Sequence, residues 1–227
     1  MTWALRRLNF DPRTIAFVEH DRARLSARLR LRRAALGGRL PESRRLHLGC
    51  GGRRVPGWLN CDVSGSELDV DLAAGRLPFP DGSVEVVVMQ HVVEHLELHG
   101  QLIPLLRELR RVCTPDAVLW LSCPDLAKVC AGYTADRGRA LRDDRCSRYP
   151  DYSLGGAPVQ QFVNDLFQAR GRHRNLFDAE LLAWALDQAG FDLVEQVKEA
   201  ELLAAHPEFP PRYDDEQSLY VTARRSR

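Results

Sequence analysis

The segment at residues 88–100 combines three histidines and two glutamates within thirteen positions. Within it, His91, Glu94 and His95 have the spacing H-x-x-E-H, in which two histidines one helical turn apart bind Zn²⁺ and the glutamate activates water. His91 alone offers a second chemistry, because a neutral imidazole accepts a proton near neutral pH. The segment therefore predicts either a zinc site or a proton-transfer site, and the elements around it decide between the two.

The composition limits the class of protein. The 227 residues are 44% hydrophobic and 28% charged, which is ordinary for one globular domain with a full core. No run approaches the roughly 20 apolar residues that span a bilayer, and the first residues do not form a signal peptide. Six cysteines without a C-x-x-C pair fit neither a zinc finger nor a small disulfide scaffold. Cys50, Cys61, Cys113 and Cys123 lie in or beside apolar runs, so we expect these four to be buried free thiols. These features predict a cytoplasmic protein without a membrane span.

The charge of the chain is unevenly distributed. Residues 1–45 contain 12 arginines and 4 acidic residues, a net charge of +8, whereas the remainder carries −7. Asp11-Pro12 is typical of a helix start and Gly37-Gly38 of a helix end, so an arginine-rich helix is expected between them. Such a helix either presents a solvated basic face or attracts an anionic substrate. The lack of interleaved aromatic residues argues against nucleic acid.

From residue 44 onward, short apolar runs alternate with helical patterns, which indicates a mostly parallel sheet between helical layers. The expected strands cover residues 44–49, 58–62, 68–72, 83–89, 117–123, 191–198 and 218–224. Helical periodicity covers residues 101–112, and Thr114-Pro115-Asp116 predicts a turn before the fifth strand. Asp178 and Gly190 are expected to cap and end a later helix. Residues 124–177 are too long for a plain connection.

Three consecutive strand ends carry residues suited to a nucleotide-type ligand, which binds outside the carboxyl ends of parallel strands. The glycines within residues 49–52 allow a tight turn and a close approach to a ligand. The dinucleotide pattern G-x-G-x-x-G fails, because Arg54 stands at the third glycine position. Asp62 ends the second strand, where a carboxylate can accept two ribose hydroxyls. Asp71-Leu72 ends the third, where an acid and an apolar residue can receive an adenine.

A family resemblance rests on the segments LHLGCGGRRVPGWLNCDV, DLAAGRLPFPDGSVEVVVMQHVVEHL, LRELRRVCTPDAVLWLSCPDL and HRNLFDAELLAWALDQAGF. They resemble the class I S-adenosylmethionine-dependent methyltransferases, and especially the methyltransferase type 11 group. The resemblance covers residues 44–224 and implies a Rossmann-like, doubly wound α/β fold whose seven-stranded, mostly parallel sheet has an antiparallel last strand. It implies S-adenosylmethionine as the cofactor, bound by Leu48, Gly49, Cys50, Gly51, Asp62, Asp71, Leu72 and Gln90. The chain departs from the family at His47, where most members carry an acid. It also departs after Pro115, where two glycines that are usual in the family are absent.

The same resemblance predicts the domain organisation of the chain. Residues 1–43 form a basic helical extension that helps to cover the site, and residues 44–227 form the methyltransferase domain. Within that domain, residues 124–177 form an insertion over the acceptor site. The implied reaction is methylation of a small-molecule acceptor, with oxygen as the expected acceptor atom. An anionic acceptor would suit the basic extension. The identity of the acceptor and the oligomeric state stay open.

Three residues are candidates for the base that an oxygen acceptor needs. His91 follows the fourth strand directly, in the slot beside the expected sulfonium, and is the first candidate. His173 and Asp125 flank the predicted insertion and are the others. For each of them a structural role is the alternative, such as a helix cap for Asp125.

Two further functions are open at this point. One is a non-catalytic protein of the same fold that binds the cofactor. The other is a zinc-dependent hydrolase using His91, Glu94 and His95, which is disfavoured because the motif begins at a strand end and not inside a long helix. Related ubiquinone-pathway O-methyltransferases carry an acid in place of His91, so the resemblance also leaves a divalent ion at these positions as an option. The prediction is catalysis without a metal.

Overall fold

The computed structural model describes residue 7, residues 11–38 and residues 40–224, which form one seven-stranded sheet flanked by helices. The strands are β1 (Arg45–Leu48), β2 (Leu59–Asp62), β3 (Leu68–Asp69), β4 (Val84–Gln90), β5 (Cys113–Pro124), β6 (Leu193–Val197) and β7 (Ser218–Arg224). The helices are α1 (Pro12–Leu36), α2 (Ile103–Val112), α3 (Leu126–Asp136), α4 (Arg139–Arg148), α5 (Gln160–Gln168), α6 (Ala179–Asp187) and α7 (Glu199–Ala205). None of the helices in these ranges has the length and apolarity to cross a membrane.

The order of strands across the sheet is β3-β2-β1-β4-β5-β7-β6. Strands β1 to β5 run parallel, and β7 is antiparallel to both of its neighbours, β5 and β6. This confirms the predicted doubly wound sheet with an antiparallel last strand. The order reverses between β1 and β4, which opens a crevice at the carboxyl ends of these two strands.

Both faces of the sheet are covered by apolar side chains, which hold the strand ends in place. The central strand β4 contributes Val87, Val88 and Met89, none of which is exposed. The predicted periodicity of α2 is confirmed, because its buried residues are Ile103, Leu105, Leu106, Leu109 and Val112. On the other face, Trp58, Leu202 and Phe209 pack against Val88. Each fully buried side chain of this kind stabilises the fold by about 1.5–3 kcal/mol.

Two predicted boundaries are wrong. The strand expected over residues 68–72 ends at Asp69, because Asp71 caps the helical turn Leu72–Ala74 by accepting the N–H of Ala73. The turn expected at residues 114–116 lies inside β5. There, Val84 pairs with Cys113 and Val86 with Val118, so the intervening residues leave the ladder as a bulge.

The arginine-rich helix is confirmed as α1, and it lies against the acidic end of β3. The guanidinium groups of Arg24 and Arg28 lie 3.0 and 2.7 Å from the Asp71 carboxylate, and Arg30 lies 2.9 Å from Asp69. Part of the basic charge of α1 is therefore neutralised by the protein itself.

The ion pairs of α1 give a prediction about stability. Replacing both Arg24 and Arg28 with alanine leaves the 3% exposed side chain of Asp71 without a cation. The arginines themselves are partly exposed, so we expect a loss of only about 1 kcal/mol and a fall in Tm of roughly 2–4 °C. The control is the double alanine variant of Arg22 and Arg32, which are exposed on the same helix. Equal Tm values for the two variants would show that the pairs do not anchor α1.

Candidate functional site

The glycine turn after β1 closes onto the end of β2. Gly49 has φ +69° and Gly51 has φ +54°, a backbone conformation that L side chains rarely adopt. A Cβ at Gly49 would also lie 2.3 Å from Cγ2 of Val92. The N–H groups of Gly49 and Cys50 both donate to the carbonyl of Cys61, at 2.8 and 3.2 Å. The backbone conformation at both positions and the close approach of Val92 to Gly49 therefore favour glycine in this turn.

Asp62 lies beside this turn, at the end of β2. Its Oδ2 accepts the N–H of Gly51 at 2.8 Å, and its Oδ1 accepts the N–H of Val63 at 2.6 Å. Its own N–H donates to Oγ of Ser66 at 2.9 Å, which fixes the backbone. A carboxylate has about four acceptor positions, so two remain for hydroxyl groups. The predicted contact with a ribose is compatible with this geometry and stays a prediction.

Asp71, the predicted adenine contact, is only 4% exposed. Oδ1 binds Arg24 at 3.0 Å and the N–H of Ala73 at 3.2 Å, and Oδ2 binds Arg28. An adenine amine would therefore share this carboxylate with the two arginines of α1. Leu72 and Leu48, the predicted apolar contacts, are buried next to these strand ends.

His47 lies within β1 and is 2% exposed. Its Nδ1 donates to Oδ1 of Asn60 at 3.0 Å, and that oxygen also accepts the N–H of Val55. Burial lowers the pKa of His47, so its ring is neutral at pH 7. His47 therefore lacks the negative charge of the acid that it replaces.

His91 leaves β4 in a strained conformation and reaches two carboxylates. Its φ is +58°, which is uncommon for any residue except glycine and often marks a functional site. Its N–H donates to the carbonyl of Ser122 at 2.8 Å, and its Nε2 lies 2.8 Å from Oδ2 of Asp214. Oδ1 of Asp214 accepts the hydroxyl of Tyr220 at 2.6 Å. Nδ1 of His91 lies 3.3 Å from Oε1 of Glu94.

These contacts set the charge of His91 and Asp214. Burial opposes the charge on His91, but its contacts with Asp214 and Glu94 outweigh burial and raise its pKa. Burial likewise opposes the charge on Asp214, yet the bonds from His91 and Tyr220 lower its pKa. These contacts therefore favour an imidazolium between two carboxylates over the neutral ring. Burial and the neighbouring Asp214 raise the pKa of Tyr220, which stays a phenol.

Glu94 is the centre of a second cluster. It is 1% exposed, and neither carboxylate oxygen has a hydrogen-bond partner. Nε2 of His173 lies 3.9 Å from Oε1 of Glu94, and the rings of His95 and His173 are 4.8 Å apart. Burial lowers the pKa of His173 to about 4, so this ring is neutral.

The second cluster differs from the one expected of a zinc hydrolase. Glu94, His95 and His173 place ligand atoms within 4.8 Å of one another and could hold a cation. Within the described ranges, His91 is not part of such a group. The reason is local, because only Val93–His95 forms a helical turn, so His91 and His95 do not lie on one helix.

The other predicted site residues have distinct surroundings. Asp125 caps α3, because its Oδ1 accepts the N–H groups of Ala127 and Lys128 at 2.9 and 3.3 Å. This is the structural role that the sequence left open for Asp125. Gln90 is 4% exposed at the end of β4, and its Nε2 has no hydrogen-bond partner. Oγ of Ser122, on the residue that pairs with Gln90 across the ladder, also has none.

Unpartnered polar atoms gather at one edge of the sheet. Among the described residues, the buried side-chain atoms without a hydrogen-bond partner belong to Arg53, Gln90, Glu94, Ser122, His173 and Arg212. These residues lie at or beside the carboxyl ends of the parallel strands, or before the antiparallel β7, which starts at the same edge. Native proteins rarely leave such atoms unpaired. This edge is therefore suited to a polar ligand.

Sequence reasoning missed Asp214, Tyr220 and the arginines near them. A signal was present, because Asp214-Asp215 precedes the last strand of the predicted sheet. In an antiparallel strand, the residues before its start lie at the same edge as the residues after a parallel strand.

Residues 17–196 match a family profile described as a methyltransferase domain. The chain belongs to this methyltransferase family. Its cofactor is S-adenosylmethionine, and its sheet is the Rossmann-like sheet of methyltransferases that use this cofactor. None of the curated proteins compared with this methyltransferase matches it in sequence.

Solved structures similar to this methyltransferase include an S-adenosylmethionine-dependent methyltransferase from Mesorhizobium loti. It is 21% identical, with a TM-score of 0.44 and coverage of 84% of this chain and 96% of that chain. A second, from Archaeoglobus fulgidus, is 15% identical, with a TM-score of 0.47 and coverage of 92% and 98%. A third, from Thermotoga maritima and described as a possible histamine N-methyltransferase, is 18% identical, with a TM-score of 0.41 and coverage of 92% and 93%. Likeness at these identities does not extend to the acceptor.

Proposed function

We propose that this methyltransferase transfers a methyl group to an oxygen atom of a small-molecule acceptor. The observation that carries the proposal is the pair of His91 and Asp214 beyond β4, 2.8 Å apart. An acceptor hydroxyl loses its proton as it attacks, and a histidine oriented by a carboxylate is suited to take that proton.

The proton-transfer step follows from the contacts of His91. In the reactive form its ring is neutral, donates Nε2–H to Asp214 and presents the lone pair of Nδ1. Nδ1 would accept the proton of the acceptor hydroxyl, and Glu94, 3.3 Å away, would stabilise the charge that forms. Proton uptake produces an imidazolium between two carboxylates, both of which stabilise its charge.

The cofactor would bind at the carboxyl ends of the parallel strands, held by the residues predicted for it. The turn at residues 48–51 and Gln90 border the crevice between β1 and β4, Asp62 would bind the ribose, and Asp71-Leu72 would receive the adenine. Bound S-adenosylmethionine supplies an electrophilic methyl group on its sulfonium. The chain contributes alignment of the acceptor with that methyl group, which can lower the barrier by ~7–11 kcal/mol.

His173 is the second candidate base, because its buried Nδ1 has no partner. Its pKa of about 4 makes it a weaker base than His91. We propose no catalytic role for Asp125, because its carboxylate caps α3.

The test of this function is transfer from ¹³C-methyl-labelled S-adenosylmethionine to a panel of small hydroxylated, carboxylated and amine-bearing acceptors. We expect a product whose labelled carbon has the chemical shift of an O-methyl group. Transfer to nitrogen or carbon alone would contradict the oxygen assignment. Cofactor binding without transfer to any acceptor would favour the non-catalytic alternative.

We further predict that methyl transfer does not need a metal ion. The physical reason is that the pair of His91 and Asp214 supplies the proton acceptor, so no metal-bound oxygen is needed for that step. Activity should be unchanged after exhaustive chelation, with the residual metal content measured on the same sample. Loss of activity that Mg²⁺ or Zn²⁺ restores would contradict the prediction and assign a cation to Glu94, His95 and His173.

A further inference from the structure

Three arginines at the edge of the sheet that carries His91 lack a direct ion pair. Arg53 follows the glycine turn, Arg145 lies on α4 and Arg212 precedes β7. In the part of the chain that the structure describes, no ion pair involves any of the three. Nη1 of Arg53 and Nε of Arg212 are buried and have no hydrogen-bond partner at all.

The segment before β7 places Arg212 next to the His91 pair. Glu199, which is 3% exposed, accepts the N–H groups of both Arg212 and Tyr213 and so fixes the backbone there. Tyr213 has φ +54°, and the next residue, Asp214, binds His91. The same anchored segment therefore supplies the partner of His91 and, two residues earlier, a guanidinium without a direct ion pair.

The end of this segment holds Arg145 from the other side. Oε1 of Gln217 accepts hydrogen bonds from Nε and Nη2 of Arg145, at 3.3 and 3.1 Å. Gln217 is neutral, so these bonds do not balance the charge of Arg145. Arg148, one turn further along α4, differs because it pairs with Asp144 at 2.6 Å. Both arginines lie over the ring of Tyr149, at 5.4 and 5.6 Å from its centroid.

The electrostatics of the cluster agree with this geometry. Burial lowers the pKa of Arg212, the nearby Arg53 lowers it further, and Asp214 opposes both effects. Burial and the neighbouring Arg148 lower the pKa of Arg145, and Asp214 again acts in the opposite direction. Guanidinium groups remain protonated in proteins, so their desolvation and the repulsion from neighbouring arginines are only partly offset until an anion binds.

We propose that Arg145 and Arg212, with Arg53 beside Arg212, form a subsite for a carboxylate or phosphate group of the acceptor. The inference rests on the proposed function, because the subsite lies beside the proposed base His91. It narrows the acceptor to a small acid or phosphate ester that also carries the hydroxyl to be methylated. The planar guanidinium fork fits both kinds of anion.

The amino-acid end of S-adenosylmethionine also carries a carboxylate, so the experiment must separate the two sources. Calorimetry would measure three ligands on the wild type and on the Arg145→Gln and Arg212→Gln variants. The ligands are S-adenosylhomocysteine, its decarboxylated analogue, and inorganic phosphate titrated into protein saturated with S-adenosylhomocysteine. Arg139→Gln, on the exposed start of α4, is the control, and Arg145→Lys keeps the charge without the fork.

We expect phosphate affinity to fall about 10-fold or more in each glutamine variant, because each loses a charge-assisted hydrogen bond. The control should bind phosphate like the wild type, and Arg145→Lys should have an intermediate phosphate affinity. Every variant should bind S-adenosylhomocysteine and its decarboxylated analogue with the affinities of the wild type. A fall in S-adenosylhomocysteine affinity that the decarboxylated analogue does not share would assign the arginines to the cofactor and overturn the proposal. Weak phosphate binding that the substitutions leave unchanged would also overturn it. A wild type that does not bind S-adenosylhomocysteine would instead contradict the cofactor site. The subsite is then tested separately, by titrating phosphate into the wild type and the variants without a nucleoside.

Discussion

Replacing His91 with alanine is expected to lower kcat by roughly 10²–10⁴-fold, the usual contribution of a general base. Affinity for S-adenosylhomocysteine should stay nearly intact, because the predicted cofactor contacts, apart from the neighbouring Gln90, lie on other strand ends. Single-turnover assays with the acceptor, together with calorimetry of cofactor binding, measure the two effects separately. His99→Ala is the matched control, since His99 is exposed eight residues later in the same segment.

A structural role for His91 predicts a different result. The alanine variant would then lose thermal stability or cofactor affinity, because Glu94 and Asp214 lose the cation between them, while kcat would survive. His173 would become the leading candidate base, and His173→Ala would test it in the same assays.

The pH dependence of kcat gives a second view of the same residue. The base must be neutral to accept a proton, so activity rises with pH as His91 loses its proton. Because the carboxylates raise the pKa of His91 above its ordinary 6.5, the acidic limb should lie above that pH. Asp214→Asn removes one of these carboxylates, so the limb should move to lower pH, and in His91→Ala it should vanish. A limb that stays in place in both variants would exclude His91 as its source.

Asp62→Ala is expected to weaken S-adenosylhomocysteine binding by ~5–150-fold, corresponding to about 1–3 kcal/mol for polar groups left without a partner. Both the N–H of Gly51 and the ribose hydroxyls would lose their acceptor. Calorimetry measures the change, and the exposed Asp151→Ala is the control. An analogue without the ribose hydroxyls should lose much less affinity on the same substitution, because the contact is already missing. Unchanged affinity for the parent ligand would contradict the assignment of Asp62.

The features that local sequence patterns predicted correctly are themselves local, whereas the topology of the whole sheet was implied by the family resemblance. The glycines at 49 and 51 and the start and end of α1 are encoded in a few adjacent residues. The predicted turn at residues 114–116 was wrong because pairing with β4 overrides the local preference of Pro115 and expels these residues as a bulge. Local sequence patterns do not register such a competition with a neighbouring strand.

The missed features depend on contacts between distant parts of the chain. His91 and Asp214 are 123 positions apart, and Arg24 and Asp71 are 47 apart. Residue types identify each of these side chains as charged, but not which distant element returns to meet it. For the same reason, Arg145 and Arg212 emerge as one cluster only when Gln217 is seen to hold α4 against the segment before β7.

The position of β7 within the sheet has a consequence for how the protein folds. Among the described strands, β6 joins the sheet through β7, whose other neighbour is β5. The segment that carries Arg212 and Asp214 leads directly into β7, so the acceptor side of the site is complete only when β7 has paired with β5. Contacts of such sequence separation form slowly, because closing the chain costs entropy before they stabilise it. A chain in which β1 to β5 had paired before β7 docked would present the glycine turn and Asp62 without an assembled proton acceptor.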